Sequence, residues 1–331
     1  MPELPLLPEG LTARPMRPDD AAPVAALLAA AEQVDDTGEY PDAADVAEWW
    51  TGWGVDLARD GVAVCDASGL LVGYAAAAAP ATFRGAYRVY LEGRVRPDRR
   101  GQGVGRELLT WQLARGRELH AERHPEVAAQ LCVGLWPAVP ELERLVRRHG
   151  LAPERWYREM ERPLTDLPDP TPVDGVALVP FDRQRDDEVR RAHNAAFTEH
   201  HGSSERDPAS WQRMFTGRRS FRPDLSVLAI EDDAVVAYAL AYVEEADTRA
   251  TGTRLIHFGQ IGTLPTARGR GLASAAIVEA LHRAAARDCQ VAGLQVDSDN
   301  VTGAVQLYEK LGFTTRRTSV SWARELPPVD G

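Results

Sequence analysis

The spacing of apolar and polar residues predicts the same order of elements twice along the chain. Apolar runs with strand spacing in the first half cover residues 11–16, 62–65, 70–79, 88–95, 128–135 and 157–162. The matching runs in the second half cover residues 176–181, 225–230, 235–243, 255–264 and 314–322. Helical spacing is found at residues 21–31, 43–53, 140–149, 187–196, 208–215 and 272–286. Each half therefore predicts strands and helices of an α/β domain.

A glycine-rich turn recurs at equivalent places in the two halves. The second copy reads Arg268-Gly269-Arg270-Gly271-Leu272-Ala273, and the first copy begins at Arg100, 168 residues earlier. Each copy follows a strand that ends near a proline and precedes an apolar helix. A repeat of half the chain predicts two similar domains. We place them at residues 1–162 and 176–331, joined by a linker at 163–175 whose proline density excludes a regular element.

Composition narrows the classes of partner. The chain has 331 residues, of which 44% are apolar and 26% charged, as in a soluble globular protein. Its net charge of −11 argues against a nucleic-acid-binding or membrane-binding surface. The three cysteines lie far apart in apolar runs, so we expect reduced core residues in the cytoplasm. No histidine pair has a third ligand beside it, and we expect no metal.

The turn has the chemistry of a phosphate site. Two glycines let successive N–H groups point into one concavity, and the following helix adds the positive end of its dipole. A nucleotide loop ending in Gly-Lys-Ser/Thr is absent from the sequence, and the order of glycines does not fit the dinucleotide fingerprint. What both turns do share is the order Arg-x-x-Gly-x-Gly/Ala.

That order resembles the pyrophosphate loop of the GNAT family of N-acetyltransferases. Asn300, Ala304 and the run from Leu307 to Phe313 are similar to the family's second signature. The resemblance implies two tandem domains of α/β (α+β) type, each with a mixed, mostly antiparallel sheet flanked by helices. It also implies acetyl-CoA as co-substrate. The residues it would place on the donor are Ile261, Gly262, Thr263, Arg268, Gly269, Arg270, Gly271, Leu272, Ala273 and Asn300, with Arg100, Gly101, Gly103 and Gly105 in the first copy.

The resemblance also suggests catalytic residues. Tyr308 stands where the family places its general acid, although a core tyrosine would give the same pattern. Family members often carry a basic glutamate on the strand before the turn, and none is present between residues 255 and 261. His257 is the candidate base, with an inward-facing core histidine as the alternative. Glu244 and Glu245 on the neighbouring strand are the further candidates.

The first half departs from the catalytic pattern. Val146 occupies the position of the tyrosine, and no asparagine precedes that helix at the matching spacing. We therefore predict a first domain that does not catalyse, even if its turn still binds CoA. The second domain is predicted to carry the reaction.

The predicted activity is acetyl transfer from acetyl-CoA to the amine of a small molecule, directly within a ternary complex. One alternative is the acetylation of a cysteinyl pseudo-disaccharide, as in a known tandem-domain member. Two others are a protein or peptide N-acetyltransferase and a non-catalytic acetyl-CoA sensor. The sequence identifies neither the acceptor nor the oligomeric state.

Overall fold

The computed structural model describes residues 2–80, 82–135, 139–198, 204–298 and 303–329, and it divides into two compact units. The first unit contains Met1–Arg155 together with Ser319–Gly331. The second unit contains Trp156–Thr318. Within the described ranges, no helix is long and apolar enough to cross a membrane.

In the described part of the chain, the first unit contains five whole strands, five α-helices, the start of β6 (Ala152–Pro163) and the end of β12 (Thr314–Leu326). Along the chain they are β1 (Leu11–Pro15), α1 (Ala21–Asp35), α2 (Ala43–Gly52), α3 (Leu57–Asp60), β2 (Gly61–Asp66), β3 (Leu71–Ala78), β4 (Tyr87–Val95), α4 (Val104–Arg123), β5 (Ala129–Leu135), α5 (Pro140–Arg148) and the start of β6 (Ala152–Pro163). Helix α2 begins at a capping box, in which Asp42 accepts from the N–H of Ala44 and Asp45.

The second unit repeats this order with a few additions. It contains the end of β6, then β7 (Ala177–Pro180), α6 (Asp186–Ala196), α7 (Pro208–Trp211), β8 (Val227–Glu231), β9 (Ala234–Tyr242), α8 (Glu245–Thr251), β10 (Leu255–Thr263), α9 (Leu272–Ala285), β11 (Val291–Asp297), α10 (Ala304–Lys310) and the start of β12 (Thr314–Leu326). Residues 164–176, which the structure describes throughout, form no helix or strand, in keeping with their prolines.

Each unit has a mixed, mostly antiparallel sheet, which confirms the predicted fold class. In the first unit the order is β1, β2, β3, β4, β5 and the end of β12, and among the pairings that the structure describes only that of β4 with β5 is parallel. In the second unit the order is β7, β8, β9, β10, β11 and the end of β6, and there the one described parallel pairing is that of β10 with β11.

The units differ from the predicted domains at two strands. Residues 157–162 were expected to close the first domain, but they pair with β11 of the second unit. The end of β12 was expected in the second domain and pairs with β5 of the first. Burial explains both placements, because Met160 lies in the core around β10 and β11, while Trp322 lies in the core around β5.

The sheet of each unit has an apolar core on both faces. In the first unit, one core gathers residues of α4, α5 and β5, and the other contains residues of α1, α2 and β3. Three tryptophans lie on or just after α2. Trp50 belongs to the second of these cores, whereas Trp49 and Trp53 are 38% and 37% exposed. Cys65, Cys132 and Cys289 are buried and free, as predicted.

Candidate active site

The two glycine-rich turns adopt the same backbone conformation. Gly269 and Gly271 both have φ near +79°, and Gly101 and Gly103 have φ of +74° and +92°. These values favour glycine because a Cβ atom would strain the backbone there. Gly271 and Gly103 begin α9 and α4 without a side-chain cap, so the first N–H groups of both helices are left for a ligand. A Cβ atom on Gly269 or Gly271 would meet no atom within 4 Å. Both turns are therefore suited to bind an anion.

The arginines of the turns are held by the protein. Arg270 forms two hydrogen bonds of 2.6 and 2.8 Å to Glu231, and Arg100 forms two of 2.6 and 2.7 Å to Asp35. Arg268 donates to the carbonyl of Ala196 at 3.1 Å. These contacts fix the turns in place, which leaves the backbone N–H groups as the main anion donors.

The strand before each turn separates from its parallel neighbour. Pairing between β10 and β11 extends from Leu255 to Phe258 and then stops, although β10 continues to Thr263. Past that point, Ile261, Gly262 and Thr263 pair with β9 alone among the described residues. Backbone groups on the β11 side are therefore available to an extended ligand. A bulge at Gly259 marks where the strand changes direction.

Tyr308 is on α10, and its side chain shares a core cluster with residues of β10 and β11 at this opening. Its side chain is 8% exposed and belongs to the core cluster that contains Phe258 and Leu294. Ile261 packs against the same cluster. Burial raises the pKa of Tyr308 to about 12, so its phenol stays protonated at neutral pH.

His257 lies on the other face of β10. It stands opposite Tyr242, which belongs to a different core cluster from Phe258 and Ile261. Burial, together with the charge of Arg218, lowers the pKa of His257 to about 4. This pKa lies below the ordinary histidine value near 6.5 because the imidazole is largely buried and Arg218 adds a nearby positive charge. At neutral pH it is a neutral hydrogen-bonding group and a weak base.

The other candidate bases are ion-paired. Glu244 accepts from Arg218 at 2.8 Å, and Glu245 accepts from Arg254 at 2.8 and 3.0 Å. Asn300 lies outside the described residues. The structure thus places the second turn, the open strand and Tyr308 in one unit.

The first unit has the same opening and a residue that the sequence analysis missed. Pairing between β4 and β5 stops at Tyr90, while β4 continues to Val95. Glu92 lies on that free segment and lines a cavity. The glutamate sought before the second turn is thus present before the first, eight positions ahead of Arg100. Val146, at the tyrosine position, is fully buried in the core.

Comparison with known proteins identifies the class. Residues 187–313 match the acetyltransferase (GNAT) family. Mycothiol acetyltransferase from Streptomyces griseus subsp. griseus is 32% identical over 237 residues, which cover 70% of each chain. The same enzyme from Frankia alni is 31% identical over 92% of this chain and 91% of its own. The chain therefore belongs to the GNAT family of acetyltransferases, and it is an enzyme of that class.

Solved structures match nearly the whole chain. A GCN5-related N-acetyltransferase from Sphaerobacter thermophilus superposes with a TM-score of 0.76 at 26% identity, covering 98% of both chains. A tandem GNAT protein from the clavulanic acid biosynthesis pathway gives a TM-score of 0.69 at 18% identity, covering 97% of this chain and 100% of its own, which shows the shared fold. The predicted tandem GNAT organisation is confirmed. Among the described residues, no group of His, Cys, Asp and Glu is arranged to hold a metal ion.

Proposed function

We propose that the second unit transfers an acetyl group from acetyl-CoA to the amine of a small molecule, directly within a ternary complex. The observation that carries the proposal is the opening between β10 and β11, whose Phe258 and Leu294 share a core cluster with Tyr308, together with the uncapped start of α9. The turn at residues 268–273 would hold the pyrophosphate on its N–H groups. Backbone groups of Ile261, Gly262 and Thr263 would bind the pantetheine arm. Asn300 would contribute a further contact to that arm.

The reaction needs one proton to leave the amine and one to reach the thiolate. The amine nitrogen attacks the thioester carbonyl carbon, and the carbon–sulfur bond breaks. Tyr308 donates its phenol proton to the departing sulfur. Neutral His257 accepts a hydrogen bond from the amine or from a water. Because its pKa is about 4, and because Glu244 and Glu245 are held by arginines, the proton passes on to solvent through water. Holding both substrates in line supplies much of the acceleration.

In the first unit we propose a turn that binds CoA without transfer. Gly101 and Gly103 have positive φ like Gly269 and Gly271, and with Arg100 and Gly105 they would form this turn. A Cβ atom at Gly105 would lie 3.6 Å from Leu145, which is an ordinary van der Waals contact. Alanine would therefore fit at this position, and the equivalent position of the second turn is Ala273. The acid is missing, because Val146 cannot donate a proton.

A second candidate acceptor is the cysteinyl pseudo-disaccharide of mycothiol synthesis. The names of the relatives from Streptomyces griseus and Frankia alni favour it. The absence of a glutamate on β10 favours a different amine. Turnover with detection of free CoA thiol, over a panel of amines, aminoglycosides, peptides and the pseudo-disaccharide, distinguishes these acceptors.

Donor binding is tested at the second turn. Gly271→Glu places a carboxylate in the anion site, and Gly271→Gln places a neutral group of the same size there. Both variants carry the same backbone strain at φ +79°, so their difference reports charge alone. Calorimetry should show weaker acetyl-CoA binding for Gly271→Glu than for Gly271→Gln. Equal affinity in two folded variants would contradict a pyrophosphate site at this turn.

A further inference from the structure

Gly312 belongs to the second signature and ends the helix that carries Tyr308. It has φ of +84° and directly follows Leu311, the C-cap of α10. A residue in the left-handed region ends many helices, and glycine adopts that conformation without strain. Tyr308 is in the last turn, where its carbonyl accepts the N–H groups of Leu311 and Phe313 at 3.1 and 3.0 Å. The end of α10 therefore fixes the backbone of Tyr308.

A buried arginine holds this end of the helix. Arg162, on β6, is 6% exposed and donates through Nη1 to the carbonyl of Leu311. Its Nη2 donates to the carbonyls of Thr165 and Asp166 at 3.2 and 3.3 Å, and its Nε donates to that of Pro163 at 3.2 Å. One side chain thus ties α10 to β6 and to the segment that follows β6.

The charge of Arg162 has no ion-pair partner. In the described part of the chain, each of its hydrogen bonds ends on a carbonyl oxygen. Burying a guanidinium in this way is costly, and burial lowers the pKa of Arg162. The negative end of the α10 dipole, at the Leu311 carbonyl, offsets part of that cost. An apolar side chain would fill the space without it, so what the arginine adds is directed contact with the helix end.

Helix α10 depends on such contacts because it is short. It has seven residues and begins at Gly303 without a side-chain cap. Isolated helices of this length are unstable in water. Its two buried residues are Val305 and Tyr308. The packing of these two side chains and the contact with Arg162 together set the position of the helix.

The first unit contains the matching contact, at a helix that lacks the acid. Arg324, on the end of β12, donates to the carbonyl of His149 at 3.1 Å. His149 is the C-cap of α5, and Gly150 follows it with φ of +77°. Val146 takes the place of the tyrosine on α5. The chain therefore offers the same contact once with the acid and once without it.

We propose that Arg162 is a positioning residue for the acid: through the Leu311 carbonyl it holds the last turn of α10 so that the Tyr308 hydroxyl meets the departing sulfur. Arg162 acts through Tyr308 and touches neither substrate. The inference rests on the proposed function, in which Tyr308 protonates the thiolate. Removing Arg162 should slow transfer without weakening donor binding, because the turn at residues 268–273 and β10 lie on other segments.

The test is a double-mutant cycle on the full chain. The acceptor is the cysteinyl pseudo-disaccharide, or the amine of the panel that is acetylated fastest if the pseudo-disaccharide is not acetylated. Single-turnover rates at saturating donor and acceptor are measured for Arg162→Gln, Tyr308→Phe and the double variant, with thermal unfolding and donor affinity in parallel.

We expect Arg162→Gln to slow transfer about 10- to 100-fold while donor affinity stays within about twofold. In the Tyr308→Phe background the same substitution should slow transfer little further, because the acid is already gone. Arg162→Lys keeps the charge and one donor group, so it should recover part of the lost rate. Arg324→Gln removes the matching contact of the first unit and should leave the rate unchanged.

Two glycine variants test the same contact with the arginine retained. A Cβ atom on Gly312 would lie 3.2 Å from Nη1 of Arg162, an unusually close contact, so Gly312→Ala should displace the guanidinium. Gly150→Ala carries similar backbone strain, but its Cβ atom would lie 4.0 Å from Arg324. Gly312→Ala should slow transfer and Gly150→Ala should not, which decides the matter even if Arg162→Gln does not fold.

Losses that multiply in the double variant would overturn the proposal, because Arg162 would then act independently of Tyr308. So would a full rate in folded Arg162→Gln or Gly312→Ala, or an equal loss in Arg324→Gln. A slow Tyr308→Phe beside an unaffected Arg162→Gln would contradict this inference alone. A full rate in Tyr308→Phe, or no transfer to any amine by the unaltered protein, would contradict the proposed function and this inference with it.

Discussion

A Cβ atom at position 262 would lie 2.5 Å from the hydroxyl oxygen of Tyr238. Tyr238 is fully buried, and its hydroxyl is hydrogen-bonded to Nδ1 of His193 at 2.8 Å. The ring therefore cannot move away without breaking a buried contact. The φ of Gly262 is not in the left-handed region, so backbone conformation does not explain the glycine. The close approach of Tyr238 does explain it, because a Cβ atom would overlap the ring. The segment of β10 proposed to bind the donor thus rests directly on an aromatic ring.

Gly262→Ala should destabilise the protein and weaken donor binding together. The added methyl group forces Tyr238 or β10 to shift, and overpacking of this kind costs about 1–3 kcal/mol. Thermal unfolding and the KM for acetyl-CoA measure the two effects. Gly134→Ala on β5 is the control for stability, because a Cβ atom there meets nothing within 4 Å. Unchanged stability in Gly262→Ala would show that Tyr238 is not held as described.

His257 should make stability depend on pH. Its pKa is about 4 in the folded chain and near 6.5 when unfolded, so between these values the unfolded state binds more protons. Stability is therefore lost as pH falls from about 6.5 towards 4. Urea unfolding over this range should show a flatter profile for His257→Gln. In the pH–rate profile of acetyl transfer, any limb near pH 7 should still be present in His257→Gln. A limb near pH 7 that disappears in this variant would contradict a pKa of about 4 for His257.

The first turn should be dispensable for transfer. Gly103→Glu places a carboxylate among the N–H groups at the start of α4, and Gly103→Gln provides the uncharged control with the same strain at φ +92°. Both should keep turnover near that of the unaltered protein, because the acid is absent from the first unit. Gly103→Glu should lose one CoA site in calorimetry. Loss of turnover in a folded Gly103→Glu that still binds donor in the second unit would contradict the division of labour.

The sequence predicted the features that depend on local chemistry. Gly269 and Gly271 were predicted to bend the turn before a helix, and both have positive φ at the start of α9. Tyr308 was singled out by the family's second signature, and α10 carries it. These features depend on residues that are close in sequence, so the sequence pattern is enough to predict them. The similarity to the family then supplied the type of sheet, mixed and mostly antiparallel.

Features that depend on distant partners could not be read in this way. Strands β6 and β12 have the pattern of closing strands, but their partners are chosen by the fit of Met160 and Trp322 into cores formed far away in the chain. The pKa of His257 depends on its burial by the fold and on the charge of Arg218, which comes from another segment. Glu92 was visible in sequence, and the signal that would have found it is its position before the first turn.

The role of Tyr308 decides whether the second unit catalyses as proposed. Tyr308→Phe keeps the ring in its cluster with Phe258 and removes only the hydroxyl. Tyr87→Phe, in the core of the first unit, is the control for loss of a buried phenol.

The decisive measurement is the single-turnover rate of acetyl transfer by Tyr308→Phe at saturating donor and acceptor, with donor affinity measured in parallel. Losing a positioned acid costs about 100- to 10,000-fold in rate. We expect a loss in that range with donor affinity unchanged, and a normal rate for Tyr87→Phe. A Tyr308→Phe protein that transfers acetyl at the full rate would contradict the assignment of Tyr308 as the acid.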